Sequence, residues 1–149
     1  MSSLNFDIKI LLLFLAVIVM LAAGFVAFNL VSLHHSTITI AGVPYNVELA
    51  RTSQEREKGL MGRLTLAPNH GMLFMFDSPE IQQFWNQDTL IPLDVIFIEN
   101  GEVVDVQSLP KISIGEAPTT IQSSVPAQYA LELNQPSHMQ VGDPVIMEL

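Results

Sequence analysis

The stretch FWNQDTLIPLDVIFIENGEVV, Phe84–Val104, decides the fold. Its second half is a hairpin written in side-chain chemistry. In DVIFIE, Val95 and Phe97 fall on one face and Ile96 and Ile98 on the other, so the strand is apolar on both sides. Asn100-Gly101 follows, a pair suited to the positive φ angles of a tight hairpin turn. EVVDVQSL then returns as the partner strand, with Val104 and Val106 facing together. The first half is less regular. It sets Asn86, Asp88, Thr89 and Asp94 among apolar residues, and buried polar groups are costly unless paired. The cluster is either a structural pin or a site.

Upstream, TITIAGVPYNVELA alternates Ile38 and Ile40, then Tyr45, Val47 and Leu49, about a turn at Ala41-Gly42. Pro44 suits an edge position or the first residue of its strand. TSQEREKGLM predicts a helix of about two turns. Thr52 with Glu55 forms a capping box, and Gly59 closes the helix with Leu60 packing back. GMLFMF, Gly71–Phe76, reads as a strand buried on both faces, ended by a turn at Asp77-Ser78-Pro79. Ile81–Trp85 is a strand or a turn of helix. Residues 110–126 read as a long loop, and loops of this length are usually functional or disordered. YALEL is an alternating strand with Tyr129, Leu131 and Leu133 inward and Glu132 outward as a solvated or turn-pairing residue. Asn134–Ser137 and VGDP are turns, and VIMEL closes the chain as a short strand. Many short strands with one short helix predict a mainly β domain, a compact β-sandwich or partly closed barrel.

The N-terminal part differs. Ile10–Phe28, ILLLFLAVIVMLAAGFVAF, has no charge and no proline. Those residues rise roughly 28 Å as a helix, close to a hydrocarbon core of roughly 30 Å. The expected layout is a tail at 1–7, a transmembrane anchor at 8–33, a connector at 34–36 and a single β domain at 37–149. A cleaved signal peptide is the rival reading, with small residues at Ala22-Ala23-Gly24, but the apolar run continues past them. Lys9 precedes the apolar run Ile10–Phe28 and the next cation is Arg51, which places the domain on the extracytoplasmic side of a cell membrane.

Of six Lys and Arg one is Lys9, and of fifteen Asp and Glu one is Asp7. The β domain therefore holds five cations against fourteen acids, the whole formal charge of −9. Nucleic acids bind through cationic groups, so no nucleic-acid role is expected. The chain has no cysteine, which excludes disulfides, thiol nucleophiles and Cys-ligated metals.

Several phrases together resemble one family. They are Glu55 with Gly59–Met61 and Arg63, HGMLFMF at His70–Phe76, Phe84-Trp85 with Thr89, and IPLDVIFI at Ile91–Ile98. GEVV at Gly101–Val104, SVPAQYALELN at Ser124–Asn134 and VGD at Val141–Asp143 complete the order. In this succession the chain is similar to the uncharacterised domain-of-unknown-function family 192, over about residues 37–149. The resemblance implies a compact, mainly β domain, often behind a signal or membrane segment, and no established reaction or ligand. Where that family commonly reads Phe-Trp-Met-Lys-Asn-Thr, this chain reads Phe84-Trp85-Asn86-Gln87-Asp88-Thr89, and it lacks the loop cysteine of many members.

The candidate ligand-binding residues are Trp85, Asp88, Thr89 and Asp94. Trp85 with Phe84 could line a sugar or peptide site or simply pack. Asp88, Thr89 and Asp94 could surround a polar ligand or a hard cation, although their spacing is no EF-hand loop. Asp94 could instead accept hydrogen bonds from the backbone near Asp88–Leu90 and fix that turn. His34, His35, His70 and His138 have no zinc spacing. Ser78 and Ser124 lie in no nucleophile elbow. No catalytic set, cofactor site or metal site is expected. The reading is a membrane-anchored extracytoplasmic binding or accessory module. It would meet the bilayer through residues 8–33 and a small polar, glycan or protein ligand through its β domain. The alternatives are a hydrolase using Asp88 and Asp94, or a purely structural envelope protein.

Overall fold

The computed structural model describes residues 8, 10–20, 35–113 and 115–148. Residues 10–20 are helical. The expected membrane span at 8–33 lies largely outside the described residues, and among those no helix is long and apolar enough to cross a membrane.

The β domain contains strands β1 (His35–Ile40), β2 (Val43–Ala50), β3 (His70–Glu80), β4 (Gln83–Trp85) and β5 (Leu93–Glu99). Then come β6 (Glu102–Leu109), β7 (Thr120–Gln122), β8 (Ala127–Asn134) and β9 (Val145–Glu148), with helix α1 (Ser53–Lys58) between β2 and β3. Seven strands form one sheet in the order β6-β5-β8-β3-β2-β1-β9, and β4 and β7 form a separate two-stranded ribbon. Among the described residues only β2 and β3 pair in parallel, and the crossover between them carries α1. The sheet curls into a half-barrel whose end strands meet at one end. There Val103 N–H donates to Asp143 O (3.0 Å), Gly142 N–H to Val103 O (2.9 Å) and Val145 N–H to Gly101 O (2.8 Å). Of the two expected architectures this is the partly closed barrel, built from one main sheet.

Alternation explains the two apolar clusters. Leu49, Leu73, Leu131, Ile96 and Val106 lie in register across β2, β3, β8, β5 and β6 and face the inside of the curl. Leu93, Val95, Phe97, Met72, Phe74 and Ala130 face outward, where Leu60 and Phe84 cover them. Phe84 meets Phe74 edge-on at 4.9 Å and Phe97 at 5.7 Å, which seats the β4–β7 ribbon on the outer face. The central strands are thus buried on both sides.

Both hairpin turns carry the backbone that their residues favour. Ala41 and Gly42 have φ 49° and 81°, and Asn100 and Gly101 have 52° and 77°. Pro44 pairs with Thr39, and β3 begins to pair only at Asn46, so its missing donor is not needed on that side. The α1 capping box forms: Glu55 N–H donates to Thr52 Oγ1 and Thr52 N–H to Glu55 Oε2.

Three expectations change. β1 starts at His35, inside the stretch expected to be a connector. Asp77-Ser78-Pro79 does not end its strand; β3 runs to Glu80 through an irregularity between Met75 and Glu80. Such a bulge absorbs the proline without breaking the element. The 110–126 loop contains β7, held against β4. Asn86 anchors this loop, donating to Pro110 O (2.8 Å) and accepting from Thr119 N–H (2.7 Å).

Gly71 on β3 is a close-approach position. A Cβ added there would lie 2.5 Å from the Glu132 carbonyl oxygen and 2.8 Å from Leu133 Cδ2, and the first of these is backbone. Gly71→Ala should therefore lower stability by about 2–3 kcal/mol. Urea denaturation of the two proteins side by side checks this; equal midpoints would show that β3 and β8 can separate at no cost.

Candidate functional site

β8 lies between β3 and β5, and its outer face carries Glu132. In the sheet register Glu132 stands between Met72 and Val95. Alternation along YALEL predicts this carboxyl outward, solvated or paired with a turn. The direction is right and the solvation is wrong: Glu132 is 5% exposed. Alternation decides which face a side chain takes, but not whether that face is covered. Here the end of α1, Leu60 and Phe84 cover it.

Gly59 is what lets the cover come close. It has φ 46° and ψ −135°, a backbone that an L side chain rarely adopts. A Cβ at this position would lie 3.4 Å from Phe74 Cζ and 3.8 Å from Glu132 Oε2. Beneath this turn is a cavity of about 20 Å³, lined among others by Lys58, Gly59, Phe84, Trp85, Thr89 and Glu132. That is room for about one water-sized group. Glu132 Oε2 is buried there with no hydrogen-bond partner.

Burial without a partner disfavours the charged carboxylate. It pushes the Glu132 carboxyl up from 4.5 to about 8, against the opposing field of Arg63. Arg63 is itself committed to Glu48 by two hydrogen bonds of 2.6 Å. At neutral pH Glu132 is therefore a protonated acid, able to donate through its hydroxyl.

Trp85 and Thr89, two of the sequence candidates, meet at this cavity. Trp85 is 45% exposed on its rim, and Thr89 is buried with its hydroxyl donating to Gln87 O (3.2 Å). Trp85 also borders a shallow groove with Gln54, Glu57, Lys58, Met61 and Gln87. Asp94 is not part of this cavity. It sits on the opposite side of β5, where Oδ1 accepts from Ser108 Oγ and Oδ2 from Ser137 N–H, both at 2.8 Å. It pins a turn, but the pinned turn is at Ser137 rather than at Asp88–Leu90. Asp88 has φ 48° and gives its carbonyl to Gly62 N–H (2.9 Å). His70 and His138 border another depression, together with Tyr45 and Asn134. No group of three or more His, Cys, Asp or Glu among the described residues is placed to hold a metal ion. Gly59 and Glu132 are the site residues that the sequence candidates left out. The available signal was Ala130 beside Glu132 on one face, a small residue that leaves room for a covering element.

The family model described as uncharacterised ACR, domain-of-unknown-function family 192, matches residues 36–145. The chain belongs to domain-of-unknown-function family 192. Two solved structures resemble the family-192 domain. A suggested transcription regulator from Sinorhizobium meliloti 1021 is 32% identical, with a TM-score of 0.66, over 76% of this chain and 93% of its own. A protein of unknown function from Novosphingobium aromaticivorans DSM 12444 is 32% identical, with a TM-score of 0.62, over 75% of this chain and 83% of its own. No curated protein matches the chain.

The buried acid has a measurable consequence. Folded Glu132 keeps its proton up to about pH 8, while the unfolded chain loses it near 4.5. Between these values the folded state binds one more proton, so this group's contribution to stability falls as pH rises and levels off above about 8. At ~1.4 kcal/mol per pH unit the loss is on the order of a few kcal/mol. Glu132→Gln should remove that slope and be the more stable protein at pH 9. Denaturation midpoints at pH 5, 7 and 9 test this, and parallel pH profiles for the two proteins would refute it.

Proposed function

We propose that this family-192 domain is a binding module that takes its ligand over the Glu132 cavity, between the end of α1 and Trp85. The observation that carries this reading is Glu132 Oε2, a buried polar atom without a partner that faces a cavity open at a tryptophan rim. Buried polar atoms are nearly always satisfied, and the exceptions call for an explanation. A perturbed acid in a concavity is a recognised mark of a functional site.

Other readings have weaker support. A hydrolase built on Asp88 and Asp94 needs both in one cleft, yet both Asp94 oxygens accept hydrogen bonds on the far face of β5. The concavity beside Trp85 argues against a purely structural role. The description of the S. meliloti relative is not carried over, because a net charge of −9 opposes contact with phosphate backbones.

An NMR screen of small polar compounds against the full chain tests the site. Hits should shift the signals of Leu60, Met61, Phe84 and Trp85. Hits that map only to the Tyr45–His138 depression or to the β1–β9 edge of the sheet would overturn the assignment.

We further propose that the module is tethered to a cell membrane through residues 8–33, with the β domain outside. The support is the apolar run Ile10–Phe28 and the position of Lys9 before it. The full chain should sediment with membranes through high-salt and carbonate washes and be released by detergent. Recovery in the wash supernatant would refute the tether.

A further inference from the structure

We propose that the Glu132 cavity receives a ligand's terminal carboxylate, with the Glu132 carboxyl donating a hydrogen bond to it and the cationic lip of α1 offsetting its charge. This rests on the cavity being the binding site. Three observations lead to the chemical class.

The first is size. The cavity of about 20 Å³ admits a single small group. It shares Glu57, Lys58, Met61 and Trp85 with the shallow groove of about 410 Å³ outside. A ligand therefore enters by one terminal group and lays its body against Met61 and Trp85.

The second is the distribution of charge. Four of the five cations in residues 37–149, namely Arg51, Arg56, Lys58 and Arg63, lie within residues 51–63. Arg56 and Lys58 line the cavity. Arg56 is held in place by a 2.9 Å bond to Met75 O and by the face of Phe76, 5.4 Å from its ring centre. Lys58 is exposed on the last turn of α1. Glu57 stands beside them on the lip, and Glu48 occupies Arg63. Residues 51–63 thus hold four cations against Glu55 and Glu57 in an otherwise acidic domain, and Arg56 and Lys58 bring two of the cations to this opening, which favours an anion there.

The third is the floor. Oε2 lacks a partner, and with its proton in place Glu132 offers a donor rather than an acceptor. Beside it in the register stand Met72 of β3 and Val95 of β5, and Phe74 and Phe84 line the cavity with it; none of these titrates. The charged groups facing it are Arg56, Glu57 and Lys58 from α1, and Arg63 beyond α1 with its β2 partner Glu48. A donor below and cations above suit a carboxylate. An ammonium ligand would meet Arg56 and Lys58, and an amide would gain little from them.

Trp85 is the only tryptophan in the chain, so its fluorescence reports on this rim alone. The full chain would be titrated with acetate, propionate and acetyl-dialanine, and in parallel with acetamide, propionamide, acetyl-dialanine amide and ethylamine. The carboxylates should give a saturable change that the amides and ethylamine do not. Acetyl-dialanine binding more tightly than propionate would identify a peptide C-terminus as the source, and the reverse order a small organic acid. Carboxylate affinity should fall about tenfold between pH 7 and pH 9 as Glu132 loses its proton. Glu132→Gln keeps a donor and should bind carboxylates without that pH dependence, Glu132→Ala should lose them, and Lys58→Gln, on the exposed lip, should weaken them several-fold. Ethylamine or an amide saturating better than its acid would overturn the carboxylate class and leave the site standing. So would screening hits at Leu60 and Met61 with no carboxylate response. Carboxylate binding indifferent both to pH and to Glu132→Ala would overturn the role of Glu132. No response at Trp85 to any probe, with no hit mapped to this rim, would overturn site and class together.

Discussion

Both faces of β8 must be covered at once, and most of the domain follows from that constraint. β8 is paired on one side with β3 and on the other with β5. Leu131 and Leu133 go into the curl, where β1, β2 and β9 supply Ile38, Val47, Leu49 and Val145. Ala130 and Glu132 go outward, where the main sheet offers no further strand. The cover there is assembled from pieces that cannot stand alone: a helix of six residues, the turn at Leu60, and a ribbon of three-residue strands. A helix this short is unstable in isolation and depends on docking. Phe84, with its edge-on contacts to Phe74, Phe76 and Phe97, holds the ribbon to the sheet.

The buried acids divide according to whether the fold satisfies them. Asp94 has Ser108 and Ser137. Asp105 has Ser124, Val106 and Gln107, and although burial works to raise its carboxyl, these hydrogen bonds hold it below the usual carboxylate range. Both acids tie distant segments together. Glu132 Oε2 has no such partner, and its burial dominates. A fold that equips two carboxylates with hydrogen-bond donors and leaves the third bare has two structural acids and one that is spare.

The parts legible in the sequence are those whose physics is local. Both hairpin turns, the Thr52–Glu55 capping box and the double-sided strand at β5 follow from residues within a few positions of one another. The parts that were not legible depend on distance along the chain. Asp94 reads as a pin, but its partner Ser137 is 43 residues away and no local pattern points to it. Gln83–Trp85 is too short to show a period, and its pairing with Thr120–Gln122 crosses a stretch that reads as loop. Trp85 and Thr89 stood out because aromatic and polar residues sit close together there. Glu132 did not, since YALEL describes a strand with one wet face equally well. The parallel β2–β3 crossover, which carries α1 and Leu60, and the β4 ribbon with Phe84 together make that face dry.

The placement of β1 has a mechanical side. Its first residue, His35, pairs with Glu48 of β2, and from Thr37 onward it is also paired with β9 on its other flank. Both neighbours run antiparallel to it. A pull applied at His35 along β1 would load two ladders of backbone hydrogen bonds in shear, many at a time, instead of peeling one edge strand bond by bond. β1 is therefore clamped on both sides, and a force applied along it would be shared at once by β2 and β9.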